Sequence, residues 1–208
     1  GKSAVEETSD EAIKSILCQN SRSLMCAPPL FIAIEKGDTD SVKKLIKSGA
    51  DVNEKYKGLT PLMDVVLLGN VEIAKLLLES GAKTNLENSD GVNLLHAIAL
   101  YTKKKIPGEM AALLIKSGVD VNERDKGTGC TPLHYATAKG NNEIAKFLIL
   151  GNANVNLKDE KGNTPLYYAV LYERSNMVKT NPNLLKKDKN GHAPFDWEQI
   201  LKNAELPK

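Results

Sequence analysis

A chain of 208 residues with 41% hydrophobic residues is long enough to bury a substantial core. Its 28 Lys and Arg stand against 26 Asp and Glu, a formal net charge of +2, which excludes bulk attraction to nucleic acid or to a membrane surface as the main driving force. The three cysteines, Cys18, Cys26 and Cys130, are odd in number and form no CxxC pair, so free thiols in a reducing, cytoplasmic compartment are predicted. No stretch is apolar for long enough to span a bilayer.

The opening, Gly1 to Ala12, has no apolar run and is not read as a signal peptide. Thr8 and Glu11 have the spacing of a capping box, and Ile13, Ile16 and Leu17 share a helix face, so residues 1–26 are predicted to cap the N-terminal end. The first unit, 27–58, runs Pro28-Pro29-Leu30-Phe31 to Gly37, then a helix with Val42, Leu45 and Ile46, then the turn Gly49-Ala50-Asp51-Val52-Asn53. Lys43, Lys44 and Lys47 fall on its solvated side. The second, 59–91, opens with Thr60-Pro61-Leu62-Met63 and places Leu67 and Leu68 just before Gly69, where other units are more polar. The third, 92–129, opens with Asn93-Leu94-Leu95-His96, lacks the Gly, and carries an insertion at 102–108 whose Lys103-Lys104-Lys105 is read as a solvated loop. A helix over 109–117 restores phase before Gly118-Val119-Asp120-Val121-Asn122.

The fourth unit, 130–162, is the best kept. Thr131 suits the helix cap and Pro132 the first helical position, where a missing N–H costs nothing. Leu133 and Ala136 share a face, and Gly140 ends the helix in a left-handed turn. Ile144, Phe147 and Leu148 mark an amphipathic second helix, and Asn152 stands where a sister unit has Gly. The loop before this unit holds one extra residue around Gly127-Thr128-Gly129. The fifth unit, 163–191, begins Thr164-Pro165-Leu166-Tyr167-Tyr168-Ala169, but Pro182 breaks its second helix early. A half unit over 192–208 puts Trp197, Ile200 and Leu201 on one face, as a C-terminal cap would.

The starts at 28, 60, 93, 131 and 164 recur about every 33 residues. With TPLHYA at 131–136, TPL at 60–62 and 164–166, and GADVN at 49–53, the chain resembles the ankyrin repeat family over residues 27 to 200. The resemblance implies an all-α solenoid of helix-turn-helix units joined by finger loops and capped at both ends. It also implies that His96 and His134, at the fourth motif position, bond to neighbouring loops. Asn53 and Asn122, each after Asp-Val, match the finger asparagines that an asparaginyl hydroxylase of animal cells modifies.

No nucleophile–base set, carboxylate dyad or metal-ligand spacing stands out, so no catalytic residue, metal or cofactor is expected, and the chain is read as a non-enzyme. Gly127-Thr128-Gly129-Cys130 lacks the preceding strand and the Lys of a phosphate loop. Cys130 is read as an exposed finger residue. Finger aspartates such as Asp51, Asp120 and Asp159 are read as turn formers.

Function then rests on surface. In the family, partners lie across the concave face made by finger tips and first helices. Carried over residue by residue, that places Tyr56, Lys57 and Leu59 in one finger, and Leu67, Leu68, Leu100, Tyr101, Tyr135, Tyr168, Leu171 and Tyr172 along the first helices. Five of the six tyrosines fall on such positions, and tyrosine supplies contact area with few rotors to freeze. The expected partner is another protein, met by a monomeric adaptor, scaffold or inhibitor, with no nucleic acid and no membrane insertion. The alternative is an effector that an intracellular microbe or virus secretes into a host cytosol. A third possibility, an enzyme using the 101–108 segment or Cys130, has the least support from the residues.

Overall fold

The computed structural model describes residues 27–84, 92–100, 106–185 and 187. The N-terminal cap, Tyr101, Lys103 to Lys105 and the half unit with Trp197 lie outside them.

Helices come in antiparallel pairs: α1 (Pro29–Lys36) with α2 (Thr39–Lys47), α3 (Pro61–Leu68) with α4 (Val71–Glu79), α5 (Leu94–Leu100) with α6 (Gly108–Lys116), α7 (Pro132–Lys139) with α8 (Asn142–Leu150), and α9 (Pro165–Leu171) with α10 (Ser175–Thr180). A dipeptide makes the sharp turn inside three of the pairs. Gly37, Gly69 and Gly140 take left-handed φ values of 66, 77 and 73°, which L-residues with a Cβ resist. The residue after each one caps the second helix: Asp38 accepts from the Ser41 N–H at 3.0 Å, Asn70 from Ile73 at 3.0 Å, and Asn141 from Ile144 at 3.3 Å. Asn152 adopts φ 68°, as its place in the sequence requires.

Where the pattern is broken, other groups take over. In the third unit Asn93 replaces the capping Thr, and its Oδ1 accepts from the N–H groups of Leu95 and His96 at 3.0 and 3.1 Å. The helix expected over 109–117 starts one residue earlier, because the Gly108 N–H is anchored by Glu143 Oε1 of the next unit at 2.8 Å. In the fifth unit α10 stops at Thr180, ahead of Pro182, and Pro182–Leu185 continue as a 3-10 turn. That turn still buries Leu184 fully, and Met177 of the shortened helix is buried as well.

First helices pack on first helices (α1 on α3, α3 on α5, α5 on α7, α7 on α9), and second helices likewise, giving two parallel rows. Between the rows runs one apolar line from Leu30 to Leu184, in which Leu62, Ile73, Leu77, Leu95, Ile98, Met110, Leu114, Leu133, Ile144 and Leu148 lose all exposure to water. Each unit thus completes its core only on its neighbours, which is why a single unit would not stand alone. No helix among the described residues is long and apolar enough to cross a membrane.

Candidate functional site

The last two fingers fold back onto the first helices through a pair of buried carboxylates. Asp125, 6% exposed, accepts from the N–H groups of Gly127 (2.9 Å), Thr128 (2.6 Å) and Cys130 (3.0 Å), from the Thr128 hydroxyl (2.8 Å) and from the Tyr135 hydroxyl (3.0 Å). It absorbs the extra finger residue by wrapping the loop around its own oxygens. Asp159, also 6% exposed, accepts from the N–H groups of Asn163 (2.8 Å) and Lys161 (2.9 Å) and from the Tyr168 hydroxyl (2.6 Å). Burial pushes both carboxyls up, but these donors outweigh it and hold each below the usual carboxylate range. Both are therefore ionised at neutral pH. The phenols move the other way: burial raises the Tyr135 and Tyr168 hydroxyls, and the adjacent carboxylates add to the shift.

The two motif histidines are struts between units. His134 Nδ1 accepts from the Thr131 N–H at 3.1 Å, so Nε2 carries the proton and donates to the Asn163 carbonyl of the next unit at 3.1 Å. His96 repeats the geometry, with the Asn93 N–H on Nδ1 at 3.2 Å and the Cys130 carbonyl 3.1 Å from Nε2. Tyrosine rings close over both imidazoles edge-on, at 5.9 Å for His96–Tyr135 and 6.0 Å for His134–Tyr168. Burial drops the His134 pKa from 6.5 to about 4. The unfolded imidazole takes up its proton near pH 6.5 and the folded one only near 4, so stability is whole above 6.5 and falls as pH drops through that interval. The full loss is about 3 kcal/mol. Urea melts are expected to lose about 2 kcal/mol between pH 7 and pH 5, while the His134 imidazole resonances stay flat over that range. An imidazole titrating near 6.5 would contradict this.

Between the fingers and the first helices lies a cavity of about 330 Å³. Leu100, Tyr135, Tyr168 and Tyr172 of the residues singled out from sequence line it, together with Thr128, Cys130, Asp159 and Glu160. Tyr168 and Tyr172 stack at 6.3 Å with their planes 15° apart. Tyr172 is 50% exposed and its neighbour Leu171 46%. The remaining named residues sit elsewhere. Tyr56 packs on Phe31 at 5.4 Å, carries the Lys57 ammonium 4.9 Å from its ring, and pairs with Leu59 across the first finger. Leu67 and Leu68 are half-buried, and Leu68 rests against the core. Asn53 bridges to the next unit by accepting from the Lys83 N–H at 2.8 Å and donating to the Gly81 carbonyl at 3.2 Å. Asn122 Oδ1 accepts from the Asn154 N–H at 2.7 Å in the same way.

Two readings from sequence need correction. Cys130 is not an exposed finger thiol: it is 6% exposed, its N–H and carbonyl are committed to Asp125 and His96, and burial raises its pKa, which keeps it unreactive. Asp159 is more than a turn former, since its second oxygen reaches the Tyr168 hydroxyl. Asp125 was not singled out at all. The available signal was an aspartate followed 10 residues later by Tyr135, matched by Asp159 and Tyr168 with a separation of 9. Among the described residues no group of His, Cys, Asp and Glu is placed to hold a metal ion.

Residues 3–88 and 94–192 match the family model described as ankyrin repeats (3 copies). The phosphocholine transferase AnkX of Legionella pneumophila is 28% identical over 193 residues, covering 89% of this chain and 20% of that protein. The putative ankyrin repeat protein FPV230 of fowlpox virus is 27% identical over 172 residues, 68% of this chain and 91% of its own length. Human ankyrin repeat and SOCS box protein 16 is 30% identical over 138 residues, 66% of this chain and 30% of that one. The chain thus spans under a third of two of these relatives and nearly all of the third. With the matched segments covering most of its length and the helix pairs stacked in phase, the chain belongs to the ankyrin repeat family.

Proposed function

We propose that this chain is a non-catalytic interaction module that holds a segment of a partner protein on its inner face, at the fourth and fifth units. The observation that carries the reading is the cavity of about 330 Å³ between fingers and first helices, with Leu171 and Tyr172 left exposed beside it. Leaving such area in water is unfavourable by about 25 cal/mol per Å², and contiguous exposed apolar surface commonly marks a contact site. The transferase activity in the Legionella relative's name belongs to a protein of which this chain spans 20%, so it lends little weight to an enzymatic role.

Affinity purification from source-cell lysate, read by mass spectrometry, supplies the partner. Leu171→Ala and Tyr172→Ala are then each expected to leave unfolding free energy within about 0.5 kcal/mol of the parent. Each is expected to weaken the complex by about 2 kcal/mol, about thirtyfold. Unchanged affinity together with a lowered melting temperature in both variants would place these side chains in the core and the binding face elsewhere. A second reading, an effector delivered into a host cell to bind a host protein, draws on the relatives from Legionella pneumophila and fowlpox virus. A secretion assay separates it from an adaptor or inhibitor acting in its own cell.

A further inference from the structure

We propose that the cavity between the fourth and fifth units is an anchor pocket for one lysine or arginine side chain of the bound segment. This rests on the inner-face reading above and adds the chemistry of the anchor. Asp159 lines the cavity, and Asp125 stands behind Thr128 and Tyr135. Nine hydrogen bonds to these two carboxylates come from neutral groups: backbone amides, a Thr hydroxyl, the Asn163 amide group and two phenols. Neutral dipoles stabilise a buried charge but do not cancel it, so two fixed negative charges are felt in a partly dry recess.

The walls suit the same guest. Tyr135, Tyr168 and Tyr172 surround the space, and aromatic faces attract cations. A phenol that donates its proton to a carboxylate, as Tyr135 and Tyr168 do, presents a more electron-rich face still. Among the described residues the protein makes this contact within itself, where the Lys57 ammonium lies 4.9 Å from the centre of the Tyr56 ring. About 330 Å³ is at the small end of binding cavities and admits one long side chain.

The Arg124 guanidinium, held on the Gly129 carbonyl at 2.9 Å, opposes a cation from the same finger, as do Lys139 and Lys161 at the border of the cavity. Both lysines are exposed, and their flexible stems let the ammonium groups swing out into water, whereas the carboxylates are held by four or more bonds each. The exposed Glu160 at the mouth favours a cation as well. An anionic anchor would meet the lysines only at the rim, Asp159 in the wall and Asp125 behind it.

The test is a nitrogen-15 NMR titration of the full chain with N-acetyl methylamides of arginine, lysine, norleucine and glutamate. Arginine and lysine are expected to give saturable, millimolar-range shifts of the amides at 127–130 and 159–163, at least tenfold tighter than norleucine. Glutamate is expected to give none. Tyr172→Ala, which changes an exposed ring, should weaken the arginine effect at least fivefold with the rest of the spectrum unchanged. Equal binding of norleucine, preferential binding of glutamate, or no saturable shift with any of the four overturns the assignment. Peptides selected on the full chain from a random library keep the two levels apart. Peptides that shift inner-face amides yet share no Lys or Arg overturn the anchor pocket and leave the inner face standing. Peptides that shift only α2, α4, α6 and α8 overturn both.

Discussion

Asp159→Ala is expected to destabilise the protein by about 4 kcal/mol, more than any surface change in the same unit. The truncation removes an acceptor that serves the Tyr168 hydroxyl at 2.6 Å and the buried Asn163 N–H at 2.8 Å. Each donor left without a partner costs about 1–3 kcal/mol. Tyr168→Phe removes only one donor from an oxygen that keeps others, so about 1 kcal/mol is expected there. The double variant should show a coupling of about 1–3 kcal/mol, because the hydroxyl and the carboxylate lose the same bond. Urea melts at pH 7 decide it. The difference between parent and Asp159→Ala should shrink in acid, as the folded-state carboxylate, held below its usual range, finally takes up a proton. An effect under 1 kcal/mol at pH 7 would mean that the finger is not fastened through this residue.

Gly108→Ala is the second large effect, and its sign runs against ordinary helix propensity. Replacing Gly by Ala in a helix usually stabilises by about 1 kcal/mol. Here the new methyl would sit 2.2 Å from the Phe147 ring and 2.9 Å from the Glu143 side chain, both in α8 of the next unit. Room can be made only by displacing the ring and the Glu143 chain, whose carboxylate holds the Gly108 N–H. Overpacking of this kind costs about 1–3 kcal/mol, so a net loss of about 2 kcal/mol is expected. Adding Phe147→Leu should recover part of it. A Gly108→Ala variant that melts higher than the parent would show that the third and fourth units do not pack this closely after the insertion.

Local chemistry made most of the fold legible in the sequence. Thr131-Pro132, Gly140-Asn141 and the Ile144, Phe147, Leu148 spacing each act within a few residues, and a helix pair with its turn follows from them. The left-handed Asn152 was legible for the same reason. What escaped was set by neighbours distant in the chain. The Asp159 carboxylate looks like a turn residue, and Asp125 draws no notice, until the fingers close onto tyrosines 9 and 10 positions later. Cys130 looks exposed until the His96 strut reaches its carbonyl from 34 residues earlier. The start of α6 moved by one residue because its cap, Glu143, comes 35 residues later from the next unit. For the tyrosines the sequence suggested positions on the inner side. It could not say that the hydroxyls of Tyr135 and Tyr168 turn inward to carboxylates while Tyr172 keeps half its surface in water.

The central claim is that the partner lies on the inner face beside the fifth unit. Its most direct measurement is site-specific photo-crosslinking in source-cell lysate. A benzophenone side chain is placed either at Tyr172, or at Leu150, which ends the second helix of the fourth unit and is 65% exposed. The account predicts one discrete crosslinked species from position 172, lost when excess unlabelled chain is added, and no such species from position 150. A competed adduct from position 150 with none from position 172 would contradict it.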